Sequence, residues 1–258
     1  MIHLRSHHYM AYRSGNPFLQ QNRFPPSYTS ERMTIEGTIN RTLLVLGMTV
    51  ACAIASWVLA LTSLQDGNAA LAGIFLGAGG IGGFIMCLYI GFKRPENPEI
   101  PILIYAGLEG LFLGALSMLM ELVMPGIVIQ AMFGTMAVFI VMLVVYRTGL
   151  IKPTEKFVIG VTSAMFAFML IYLFSFLGGF IGLKVPYIHS SGPIGIGFSI
   201  LVIGFAALML IVDFGSIEYG VRNGAPAKME WYAAFGLLVT LVWIYVEILR
   251  LLAKLRDN

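Results

Sequence analysis

Seven stretches of this chain are almost free of charge: residues 42–64, 69–92, 100–120, 126–146, 157–183, 192–212 and 231–255. Each reaches the roughly 20 residues that a helix needs to cross a hydrocarbon core about 30 Å thick. The runs are continuous, which excludes a β-barrel, whose lipid face would show alternating segments of about 10 residues. Short polar connections near Asp66 and at 93–99, 147–156 and 222–230 leave no room for a soluble domain between them. The pattern predicts an all-α membrane protein, a single bundle of seven transmembrane helices over residues 42–255.

Composition supports the same solvent. The chain is 58% apolar and 11% charged, against roughly 25% charged in soluble domains. Residues 1–41 differ in kind, with five arginines, the Pro25-Pro26 pair and no apolar core. They read as a disordered cytoplasmic tail and lack the short apolar run of a cleavable signal peptide.

Lysine and arginine set the expected orientation. Ten of them (Arg23, Arg32, Arg41, Lys93, Arg94, Arg147, Lys152, Lys156, Arg222 and Lys228) fall on the side of the N-terminus, against Lys184, Arg250, Lys254 and Arg256 on the other. This bias places the N-terminus in the cytoplasm. Three of the four dissenting charges follow the last span, so helix seven either crosses fully or re-enters and returns. Crossing is the expectation.

Several chemistries lack their parts. Cys52 and Cys87 both lie inside spans and offer neither a disulfide framework nor a metal-ligand set. They read as small buried hydrophobes. His3, His7 and His8 are in the tail and His189 is in the connection after span five, so no span holds a histidine base or zinc ligand. No lysine sits at mid-membrane for a Schiff base. Gly77-Ala-Gly-Gly-Ile-Gly82 matches the dinucleotide fingerprint literally, yet that motif works only at a strand-to-helix turn. The glycines instead predict close helix packing through Gly73/Gly77, Gly79/Gly83 and Gly110/Gly114, or a locally unwound helix two. No enzyme, nucleotide or nucleic-acid function is expected, and the partner implied by composition is the lipid bilayer.

What remains is acidic. Glu109, Asp213 and Glu247 lie within spans, and an ionisable group inside a membrane is a functional-site candidate by default. At 1.5 Å per residue, Glu109 and Asp213 each lie about 14 Å from the cytoplasmic ends of their helices, and Glu247 lies about 24 Å along span seven. The candidate charge partners are Arg250, Arg94 and Arg41. The plainer alternatives are a salt bridge from Glu247 to Arg250 or Lys254, and a headgroup position for Asp213. Carboxylates facing each other across a dry cavity cannot all ionise, so a proton is shared or a cation is held. Ca²⁺ wants 6–8 oxygens, so two or three carboxylates would form a weak, proton-competitive site.

The segments Ile211-Val-Asp-Phe-Gly-Ser-Ile-Glu-Tyr-Gly-Val-Arg-Asn-Gly-Ala-Pro226 and Glu230-Trp-Tyr through Tyr245-Val-Glu-Ile-Leu-Arg250 resemble the Bax inhibitor-one/YccA-like family. Met33-Thr-Ile-Glu-Gly-Thr-Ile39 and Leu108-Glu-Gly-Leu-Phe-Leu-Gly114 are similar to its bacterial branch. The resemblance implies a seven-helix protein of a bacterial inner membrane, with the last helix central, related to proteins that leak Ca²⁺ in a pH-dependent way. The family's paired acids would fall on Asp213 and Glu247, which would then hold Ca²⁺ weakly, with no other cofactor. Depth alone puts Glu247 about 10 Å beyond Asp213, so either helix seven kinks or starts late, or Asp213 pairs with Glu109. The expected function is a pH-sensitive cation leak channel or transporter. The alternative is a non-conducting regulator that binds a membrane protease or stress-response complex.

Overall fold

The computed structural model describes residues 31–180 and 190–257. Arg23, the tail histidines, Lys184 and His189 lie outside them. The described residues form seven helices: α1 (Ile35–Gln65), α2 (Ala70–Lys93), α3 (Glu99–Val123), α4 (Ile127–Arg147), α5 (Glu155–Phe180), α6 (Pro193–Arg222) and α7 (Met229–Arg256). All seven are long and apolar enough to cross a membrane. The expected helical bundle is therefore observed.

The first helix begins at Ile35, about two turns before the expected boundary at residue 42. Thr34 caps it by accepting the Gly37 N–H at 2.9 Å, and Glu36 adds an acid to its first turn. Its polar residues are satisfied locally. Thr38, Thr42 and Thr49 each donate to the carbonyl four residues earlier, at 2.7, 2.8 and 3.0 Å, so their hydroxyls cost little in lipid. The sequence boundary was set by charge, and Arg41 is helical all the same.

Contacts at the two ends of the bundle fix the threading. At the N-terminal end, the Met33 N–H donates to the Ala225 carbonyl at 2.7 Å, and the Tyr232 hydroxyl donates to the Pro95 carbonyl at 2.7 Å. At the far end, Arg256 donates to the Pro125 carbonyl at 2.9 Å and to Gln130 at 3.3 Å. Helix α7 is 28 residues long, about 42 Å, one unbroken helix long and apolar enough to cross a membrane. The basic residues after Glu247 lie at the far end.

Small residues bring helices together where lipid offers no hydrophobic drive. Gly110 and Gly114 of α3 lie against α1, where an added Cβ would meet the Thr49 and Ala53 carbonyl oxygens. Ser56 donates across that seam to the Leu111 carbonyl at 2.7 Å. On the other face of α3, a Cβ at Gly79 would stand 2.7 Å from the Phe112 nitrogen. Gly73 and Gly77 are different: nothing lies within 4 Å of a Cβ built there, so this expected packing pair has no partner among the described residues. Helix α2 is continuous through all of these glycines, not unwound.

Helix α7 lies among α1, α3, α4 and α6, and α5 reaches it through Tyr172. One apolar cluster joins α4, α5, α6 and α7 around Leu210, Ile211 and Ile244. A second joins α1, α2, α3 and α7 around Val45, Ile102 and Leu238. Helix α4 begins at the left-handed Gly126, where the Glu121 carboxylate accepts the Gly126 and Val128 N–H groups at 2.5 and 3.2 Å. That acid serves as a helix cap.

Candidate functional site

Asp213 sits three residues after Leu210 on the face of α6 that packs against α7. Its Oδ2 accepts the Thr240 hydroxyl at 2.7 Å. The same hydroxyl lies 3.1 Å from the Gly236 carbonyl, one turn earlier on α7. Beside Oδ1 the wall of α7 is Gly236, where even a Cβ would stand 3.7 Å away. Gly236 and Thr240 of α7 thus both approach Asp213, and Oδ1 has no hydrogen-bond partner among the described residues.

Glu247 occupies a different environment, two turns further along α7 than Thr240. Its side chain is only 2% exposed. Oε2 accepts both the Arg250 guanidinium at 3.0 Å and the Tyr172 hydroxyl at 2.9 Å, and Arg250 lies over the Tyr172 ring at 4.5 Å. Oε1 has no hydrogen-bond partner. One turn beyond Arg250, Lys254 places its ammonium 2.9 Å from both the Gly195 carbonyl and the Ser199 hydroxyl of α6. Arg250 is therefore the charge partner of Glu247.

Glu109 lies on the α2 side of α3. Its carboxylate packs onto Gly83, where a Cβ would be 2.9 Å from Oε2, and Tyr105 precedes it by one turn of the same helix. The Tyr105 ring packs edge-on against Phe235 of α7 at 5.0 Å. Among the described residues, no hydrogen bond or ion pair joins any two of Glu109, Asp213 and Glu247.

Helix α7 runs as one helix from Met229 to Arg256, and the hydrogen-bond partner of Asp213 is Thr240. Among the described residues, no three His, Cys, Asp or Glu side chains gather where they could hold a metal ion. Of the other candidate charge partners, Arg41 lies over the Trp231 ring at 4.7 Å, and Arg94 ends α2 in a left-handed conformation; neither forms an ion pair among the described residues.

Sequence reasoning passed over Thr240, although it is the one hydroxyl between Tyr232 and Tyr245. It also passed over two acids near helix ends. Glu218 of α6 accepts from Tyr146 of α4 and pairs with Arg222. Glu230, buried in the first turn of α7, accepts the Thr34 N–H and hydroxyl at 2.9 and 3.1 Å.

Seven long apolar helices with carboxylates held between them define an integral membrane protein. The chain matches the family described as Bax inhibitor 1 like over residues 16–257, and it belongs to that family. No curated protein and no solved structure matches it.

Proposed function

We propose that this protein is a pH-sensitive cation leak pathway, with Ca²⁺ as the ion carried and Asp213 as the group for which cation and proton compete. The observation that carries this reading is the state of Asp213 itself. Its carboxylate lies between two helices long enough to span a membrane, accepts one hydroxyl, and has its other oxygen beside Gly236 with no hydrogen-bond partner among the described residues. An intramembrane carboxylate that is not locked by a cation is free to exchange a proton or meet a passing ion. Glu109, packed onto Gly83 of α2, is a second station on that reading. Glu247 is not, because Arg250 already neutralises it.

On this reading the protein is not an enzyme and needs no resident cofactor, and the cation is its cargo. The positive-charge bias places its N-terminus in the cytoplasm, and the resemblance of its motifs to bacterial relatives favours the inner membrane. Purified protein in liposomes should pass Ca²⁺, and Asp213→Asn should reduce that flux. Equal flux from both proteins would refute the role of Asp213.

The second reading is a non-conducting regulator that binds a membrane protease or stress-response complex. It is favoured by the separation of the three acids, each tied to its own neighbours as structural contacts would be. It predicts no flux from pure protein and recovery of a partner by crosslinking.

A further inference from the structure

The start of α1 and the start of α7 share one carboxylate. Glu230 is 6% exposed and accepts both the Thr34 N–H and the Thr34 hydroxyl. It fills the space above Gly37 so completely that any Cβ there would collide with its carboxylate. The chain before Thr34 runs antiparallel to the α6–α7 connection: Arg32 forms an isolated bridge with Pro226, and Met33, 3% exposed, donates to Ala225, which is fully buried. Backbone hydrogen bonds, a buried apolar side chain and a buried acid therefore converge on one short segment.

We propose that Glu230 is a positioning residue that clasps the segment 31–37 onto the α6–α7 hairpin and so sets how Asp213 meets Thr240. The physical argument is leverage. Glu230 lies in the first turn of α7 and Thr240 ten residues further on, about 15 Å along one continuous helix, while Asp213 lies on the helix that the clasped connection ends. A helix moves as a stiff unit, so freedom at its first turn becomes freedom at Thr240. A carboxylate is suited to this task because it accepts from two donors at once and sits at the positive N-terminal end of α1. The proposal rests on the functional reading only in naming Asp213 as the group that the clasp serves.

The test uses the full-length chain in liposomes, with Cys52 and Cys87 replaced by alanine and spin labels at Glu31→Cys and Lys228→Cys. The unaltered clasp should give a narrow distance distribution. Glu230→Ala should broaden it and speed hydrogen exchange across residues 213–240 severalfold, while Glu230→Gln, which keeps an acceptor for the Thr34 N–H, should largely restore both. Thr34→Ala reaches the same contact from its exposed side and should give a smaller version of the alanine effect, which keeps the test open should Glu230→Ala fail to fold. An unchanged distance distribution overturns the clasp. A broadened distribution with unchanged exchange at 213–240 overturns the positioning role. Absence of Ca²⁺ flux from the wild-type protein would refute the leak reading and leave both of these readouts decisive.

Discussion

Thr240 donates its hydroxyl to Asp213 over 2.7 Å and thereby joins α7 to α6 inside the bundle. The consequence is that the acid to which the family motif points is restrained by a neutral group and not by a second charge. An interhelical hydrogen bond in a membrane contributes on average about 0.6 kcal/mol and at most about 1.7 kcal/mol. Thr240→Val, which keeps the shape and deletes the hydroxyl, should therefore lower stability only slightly yet change Ca²⁺ flux clearly. Thr240→Ser should behave as wild type. Paired flux and thermal-unfolding measurements in detergent check this, and a flux change seen only in variants that also unfold would contradict it.

The Glu247–Arg250 pair should be asymmetric. Arg250 is about a third exposed, whereas Glu247 is 2% exposed, so an orphaned guanidinium can turn toward water and an orphaned carboxylate cannot. Arg250→Met should cost about 3 kcal/mol and Glu247→Gln distinctly less. The double variant should cost less than the sum of the two, because removing both charges removes the uncompensated one. Chemical denaturation of the four proteins in a double-mutant cycle provides the measurement.

The glycines divide by what faces them. Gly114→Ala drives a methyl group into the α1 backbone at Ala53 and should destabilise by about 1–3 kcal/mol. Gly77→Ala meets open space and should be neutral or slightly stabilising, since alanine is the better helix former. Melting temperatures of the two variants in the same detergent separate the cases.

The sequence made the helices readable because lipid forces backbone polar groups to be satisfied within each span, which writes continuous apolar runs into the chain. It misplaced the start of α1 because Thr38, Asn40 and Arg41 interrupt that run without interrupting the helix. It identified Glu109, Asp213 and Glu247 as candidates because charge in a membrane is costly wherever it occurs. It could not identify their partners with the same certainty. The Arg250 contact was visible as an i, i+3 spacing on one helix, but the Thr240 contact depends on how two helices rotate against each other, and no single-helix pattern encodes that. Glu230 escaped notice because it lies at a helix end, where an acid looks solvated, and only the fold brings Thr34 over it.

The central claim is that Asp213 is the titrating group of a cation pathway. It is tested most directly by Ca²⁺ flux through purified protein in liposomes, measured across pH 5 to 8 for wild type, Asp213→Asn and Glu247→Gln. The account predicts a pH-dependent flux in the wild type, a pH response flattened by Asp213→Asn, and a wild-type-shaped response in Glu247→Gln. A pH response that survives intact in Asp213→Asn would contradict it.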